Sequence, residues 1–222
     1  MISDIKAFRE ELEKNGVSLV AVSKTQSNEA VRDLYGQGQR IFGENKVQEL
    51  LGKKDELPAD IQWHVIGHLQ TNKVKYIADF VAMIHSVDSL KVLKEINKQA
   101  KKVDRVIPVL LQFHIAEEDT KFGLDWQEAE ELLNSEAYLQ MSNIEICGVM
   151  GMATFTEDES QVRREFKALT NIFNQLKTAF FPDSEKFKEI SMGMSGDYKL
   201  AMEEGSTIVR IGSLLFGERT YG

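Results

Sequence analysis

Residues 40–67 read RIFGENKVQELLGKKDELPADIQWHVIG. The stretch opens on a strand-like run, RIFGEN, passes into a helical pattern from Lys46 to Lys53, and returns to a second strand-like run, IQWHVIG. Strand, helix and strand in that order predict two parallel neighbours, because parallel strands need a crossover between them. The glycines of the overlapping GQGQRIFG precede a strand instead of following one, so they read as a helix stop and turn, not as a dinucleotide fingerprint.

The same rhythm extends outward. Upstream, Ile2, Ile5, Phe8 and Leu12 recur at helical spacing and stop at Asn15-Gly16, after which VSLVAV precedes a helix from Asn28 to Tyr35. Downstream, IQWHVIG leads to a helix from Gln70 to Asp79, FVAMIHSV to one from Ser89 to Lys101, and RVIPVLLQF through a long loop to Trp126–Asn134. IEICGVMGM leads to Glu159–Phe180, FKEISMG to Tyr198–Glu203, and TIVRIG to the short segment SLLFG. About eight βα units in ~220 residues predict an α/β fold, a (β/α)8 barrel over residues 1–222, with a doubly wound open sheet as the alternative. No Gly/Ser/Pro linker divides the chain, which predicts one domain.

Composition narrows the partners. A formal charge of -8 disfavours a surface that binds the nucleic-acid backbone, so an anion is expected in a local pocket. The single cysteine, Cys147, excludes an internal disulfide and reads as a core residue within IEICGVM. The N-terminus has no uninterrupted apolar run of the secretory type, and no segment reaches the ~18 apolar residues of a membrane span. Cytoplasmic location is the expectation.

In a βα barrel, ligands bind at the C-terminal ends of the strands, with phosphate often held after strands 7 and 8. SMGMSGD follows the seventh predicted strand and RIGS the eighth. Both combine glycines, which let backbone N–H groups approach an anion, with a hydroxyl residue. The plain alternative is that Gly193, Gly196 and Gly212 make tight turns while Ser195 and Ser213 cap helices.

Lys24 ends the first predicted strand on that same rim. It is either a solvated loop lysine or, partly desolvated, an amine able to form a Schiff base with an aldehyde. Arg210 interrupts the apolar TIVRIG, and a buried guanidinium needs either a carboxylate partner or a ligand atom. His64 and His68 of HVIGH lie roughly 13 Å apart along an extended strand, too far to share one metal ion.

The clusters LVAVSKTQ, FGENKVQEL, WHVIGHLQTNK, SVDSLK, TKFGL, GVMGM and SMGMSGDYKLAMEEGSTIVRIGSLLFGER together resemble the pyridoxal-phosphate homeostasis proteins, single-domain relatives of the alanine racemase barrel domain. The likeness runs from about residue 18 to 219. It implies a modified (β/α)8 barrel of PLP fold type III with an extra N-terminal helix, binding pyridoxal 5′-phosphate (PLP) as an internal aldimine on Lys24. It further implies that Asn45 approaches the cofactor and that Arg210 faces the pyridine nitrogen. Ser195, Gly212 and Ser213 would hold the phosphate with Met194 adjacent, and Ser191 is a weaker candidate. Lys46 stands where many relatives carry an aromatic, which bears on the pocket wall.

The implied function is intracellular PLP and amino-acid homeostasis by a monomeric carrier, with PLP-dependent apoenzymes as recipients. The rival is a PLP-dependent amino-acid racemase. Such a racemase needs a second base, a tyrosine on a C-terminal domain that this sequence is not expected to carry, and Gly151 stands where the racemase has a histidine by the ring. A Schiff-base aldolase acting on a sugar phosphate is a third reading.

Overall fold

The computed structural model describes residues 2, 4–117 and 122–217. Its elements run α1 (Ile5–Lys14), β1 (Ser18–Val22), α2 (Asn28–Gly36), β2 (Ile41–Glu44), α3 (Val47–Lys54), β3 (Gln62–Val65), α4 (Thr71–Val74), β4 (Met83–Val87) and α5 (Leu90–Lys102). They continue with β5 (Ile107–Gln112), α6 (Trp126–Asn134), α7 (Glu136–Leu139), β6 (Ile144–Met150), α8 (Glu159–Ala179), β7 (Glu189–Ser191), α9 (Tyr198–Glu203), β8 (Ile208–Ile211) and α10 (Ser213–Phe216). The strands close into a parallel barrel in sequence order, β1 pairing with β8 from Ser18↔Ile208 to Ala21↔Ile211. Closure removes the open-sheet alternative.

Local chemistry explains the element ends. Asp4 caps α1 by accepting the Ala7 amide at 2.9 Å, and Gly16 leaves the helix at φ +72°. The helix expected over Gln70–Asp79 is regular only from Thr71 to Val74. Beyond it the chain continues in turns, and Arg105 takes the carbonyls of Ala78 and Val81 at 2.7 and 2.8 Å. β4 begins at Met83, later than its apolar run suggests. No described helix is long and apolar enough to cross a membrane.

The core has two compartments. Leu19, Ala21, Phe42 and Ile84 belong to the layer shared with the helices, whereas Val20, Ile66, Leu110, Cys147, Met150 and Ile208 form a separate cluster inside the barrel. Cys147 and Met150 are three residues apart, which a regular period-two strand would send to opposite faces. A bulge resolves this: Val109 opposes Ile146 but Leu110 opposes Gly148, leaving Cys147 as the extra residue. A Cβ at Gly148 would overlap the carbonyl oxygen of Glu189 on β7. The site is open only to glycine.

A polar column shares the barrel interior. The Arg210 Nη1 donates to Ser191 Oγ at 2.7 Å, Ser191 Oγ lies 2.9 Å from His85 Nδ1, and His85 Nε2 lies 2.8 Å from His64 Nδ1. A guanidinium only donates, so Ser191 accepts from it, and the His85 and His64 rings continue the column with one nitrogen donating and the other accepting at each shared contact. Both imidazoles are neutral in the fold: burial lowers the His64 pKa to about 3, and burial, with His64 and Arg210 close by, holds His85 well below its ordinary value.

Two outcomes are expected. Gly148→Ala should lower unfolding free energy by more than about 3 kcal/mol in urea melts, through overlap with β7. Because the buried rings refuse protons that the unfolded chain accepts near pH ~6.5, stability should fall as pH drops from that value toward about 3. The slope approaches ~1.4 kcal/mol per pH unit for each ring. Melts of His64→Gln beside the parent, across the same window, should show a shallower dependence.

Candidate cofactor-binding site

A cavity of about 520 Å3 opens at the C-terminal mouth of the barrel, within the range of small-molecule sites. Lys24, Asn45, Met194, Ser195, Arg210, Gly212 and Ser213 all line it, so the structure brings the seven expected residues to one place. Ser191 does not line the cavity; it is fully buried beneath Arg210. Lys46 is exposed at the N-cap of α3 and is not part of the wall.

Lys24 is half-buried and follows β1 in a tight turn closed by the Gln26 amide on the Ser23 carbonyl, 3.0 Å. Thr25, next in that turn, has φ +65°, a conformation that suits glycine and costs a β-branched residue about 1–3 kcal/mol. Its hydroxyl donates to the Lys24 carbonyl at 2.6 Å. Asn45 follows β2 and is crowded by Gly67, where a Cβ would come within 2.7 Å of the Asn45 Cα. That glycine lets the loops after β2 and β3 close together at the mouth.

Arg210 forms the floor. It is 4% exposed, and besides Ser191 its Nη2 donates to the Gly151 carbonyl at 3.1 Å. Burial lowers its pKa to about 10, with the Asp197 carboxylate acting the other way, so it stays cationic at neutral pH. Gly151 is itself confined, since a Cβ there would press on Ile115 and Leu169. The site thus holds Arg210 through a carbonyl and a hydroxyl.

The loops after β7 and β8 are knitted together. Ser195 Oγ accepts the amides of Gly212 and Leu214 at 3.2 and 3.4 Å. Gly193 at φ +93° lies where a Cβ would clash with Ala201, and it allows the β7 loop to pack on α9. The Asp197 carboxyl accepts the Met194 amide, and burial raises its pKa. An amine on one wall, a cation below and serine-glycine loops opposite suit a small ligand carrying an aldehyde and an anionic group.

Other lining residues carried no signal in the sequence. Val22, Gln26, Ile66, Met152 and Phe155 reach the cavity from three different strand ends. Their positions follow from closure, although Met152 closes GVMGM and Phe155 sits just past it. The loop that bears them is anchored by buried Glu165 of α8, which accepts the Thr154 amide at 2.7 Å, its hydroxyl at 2.8 Å, and the Glu117 amide at 3.1 Å. Thr120 and Lys121 of TKFGL, with Glu218 and Arg219 of FGER, lie outside the described residues.

The remaining singled-out residues do other work. His68 meets Asp88 at 3.2 Å while His64 faces into the barrel. Cys147 is buried, and burial together with Glu145 and Glu189 pushes its thiol up to about 11.

Residues 1–220 match the family profile described as the alanine racemase N-terminal domain. A pyridoxal phosphate homeostasis protein of Aquifex aeolicus is 40% identical over 209 residues, covering 94% of this chain and 90% of that protein. Among solved structures, PipY of Synechococcus elongatus without PLP superposes with a TM-score of 0.88 at 33% identity, covering 96% of this chain and 98% of PipY. PipY with PLP bound gives 0.82 at 32% identity, with 96% and 100% covered. A barrel of this topology, an amine at the end of β1 and near full-length likeness at this identity meet in one assignment: the chain belongs to the pyridoxal phosphate homeostasis protein family, built on the alanine racemase N-terminal domain.

Proposed function

We propose that this protein binds PLP at the barrel mouth through Lys24 and serves cytoplasmic PLP homeostasis as a monomeric carrier that passes the cofactor to PLP-dependent apoenzymes. The observation that carries this reading is the convergence of Lys24, Arg210 and the two serine-glycine loops on one cavity. PipY, which is similar over nearly its whole length, has been solved with PLP bound and supports the choice of ligand. PLP would be held by Lys24 and would supply an aldehyde with which a lysine amine can form a Schiff base.

The chain's own residues divide the work. Ser195, Gly212 and Ser213 would hold the phosphate, with Met194 beside them, and Asn45 would approach the cofactor from the β2 end. Arg210, clamped by Ser191 and Gly151, offers a fixed cation to the pyridine nitrogen and so disfavours a proton there. That setting is suited to holding the cofactor and ill suited to stabilising a carbanion.

Purified protein mixed with PLP should develop the visible absorption of a PLP–lysine link, and Lys24→Ala should lack it. Loss of the band in neither protein, or its absence from both, defeats the assignment of Lys24. Incubation of the loaded protein with single amino-acid enantiomers in deuterated water should give no sustained exchange at Cα. Steady exchange would instead favour the racemase reading.

A further inference from the structure

Behind Lys24 lies a buried charge cluster that neither its motif nor its role as a PLP anchor explains. Lys53 of α3 is 5% exposed. Its Nζ donates to the Ser23 carbonyl at 2.6 Å and to Glu44 Oε1 and Glu49 Oε1 at 2.8 Å each. Ser23 Oγ donates to the same Glu44 oxygen at 2.7 Å, and the Thr25 amide donates to Glu49 Oε1. The peptide groups on both sides of Lys24 are therefore tied to α3, one through the Lys53 ammonium and the other through the Glu49 carboxylate.

The placement is more specific than a strand-to-helix tether. Ser23 and Thr25 are the immediate neighbours of Lys24, and Thr25 occupies the left-handed position of the turn without being glycine. A β-branched residue leaves that conformation unless something holds it. Glu49 supplies the hold from outside the turn, since a carboxylate is a strong acceptor for the amide of the strained residue. Glu49 is in turn fixed by Lys53 one helical turn on.

We propose that Glu49 and Lys53 are positioning residues for Lys24: they lock the Ser23–Gln26 turn so that the lysine is presented to the cavity already arranged for the aldehyde. The proposal rests on the reading of Lys24 as the PLP anchor. Pre-arrangement of this kind acts on affinity and loading rate, because the turn's ordering is settled before the ligand arrives. It does not alter which atom forms the bond.

The distinguishing variants follow from the geometry. Lys53→Met would leave Glu44 buried without its cation and threatens the fold, so Glu49, whose side chain is 25% exposed, is the better target. A glycine at position 25 adopts the left-handed conformation unaided, so Thr25→Gly should remove the need for Glu49.

The experiment titrates PLP into apoprotein of the parent, Glu49→Ala, Glu49→Ala/Thr25→Gly and Lys24→Ala. It follows the visible band and its rate of appearance, with thermal melts alongside and borohydride reduction plus peptide mass mapping to locate the attached cofactor. Glu49→Ala should label Lys24 but bind about tenfold more weakly and load more slowly, the scale of one charge-assisted hydrogen bond. The double variant should return to within about threefold of the parent. Parent-like loading by Glu49→Ala overturns the proposal, as does a defect that Thr25→Gly fails to relieve. A cofactor mapped to a residue other than Lys24 overturns the anchor itself and the proposal with it.

Discussion

The pairing of β1 with β8 is the constraint on which the site depends. Val20 lies opposite Arg210 in the register, so closing the barrel sets two residues 190 positions apart in sequence at neighbouring strand ends. Lys24, four residues beyond Val20, and Gly212, two beyond Arg210, then share one rim. Without closure, neither the lysine turn nor the serine-glycine loops would face a common space. Parallel pairing throughout also buries the strands on both faces, so the mouth is the place where strand-end polar groups can meet a ligand.

Burying Arg210 imposes a second demand. A cation at the base of a low-dielectric barrel needs acceptors, and the fold supplies a carbonyl, a hydroxyl and the more distant Asp197 charge. Meeting the demand this way keeps the guanidinium fixed without a direct bond to a carboxylate among the described residues, which would have cancelled the charge the site presents. The cost is carried inward: Ser191, His85 and His64 must all be satisfied in turn, making the barrel interior partly polar.

The barrel was legible because its signals are local. Short, nearly continuous apolar runs followed by helical spacing recur along the chain, and Asn15-Gly16 marks the end of α1 in sequence and structure alike. Lys24, Ser195, Gly212 and Ser213 were legible for a related reason, since residues just past a barrel strand sit at the rim, whereas Arg210 stood out as one charge within an apolar strand and Asn45 and Met194 came from the family resemblance alone. Features that depend on cross-barrel contact were not legible. Ser191 and His85 are 106 positions apart, and the carbonyls of Ala78 and Val81, in the turns past α4, are held by Arg105 from a later loop. Lys53 looked like an ordinary residue in the last turn of a helix, and only the packing of α3 against the β1 and β2 ends shows it to be buried. Gly148 gave no sign of a bulge because one extra residue leaves the apolar run unbroken.

The hydrogen-bonded column inside the barrel is fixed at one end by a group that can only donate. Arg210 occupies one of the two lone pairs of Ser191 Oγ, and each neutral ring beyond it carries a single proton whose position answers to what Arg210 does at that oxygen. The two imidazoles therefore act as built-in reporters of the cavity floor. A change in the orientation or charge state of Arg210 would be written into their tautomers, where nitrogen chemical shifts could read it without any label placed in the site itself.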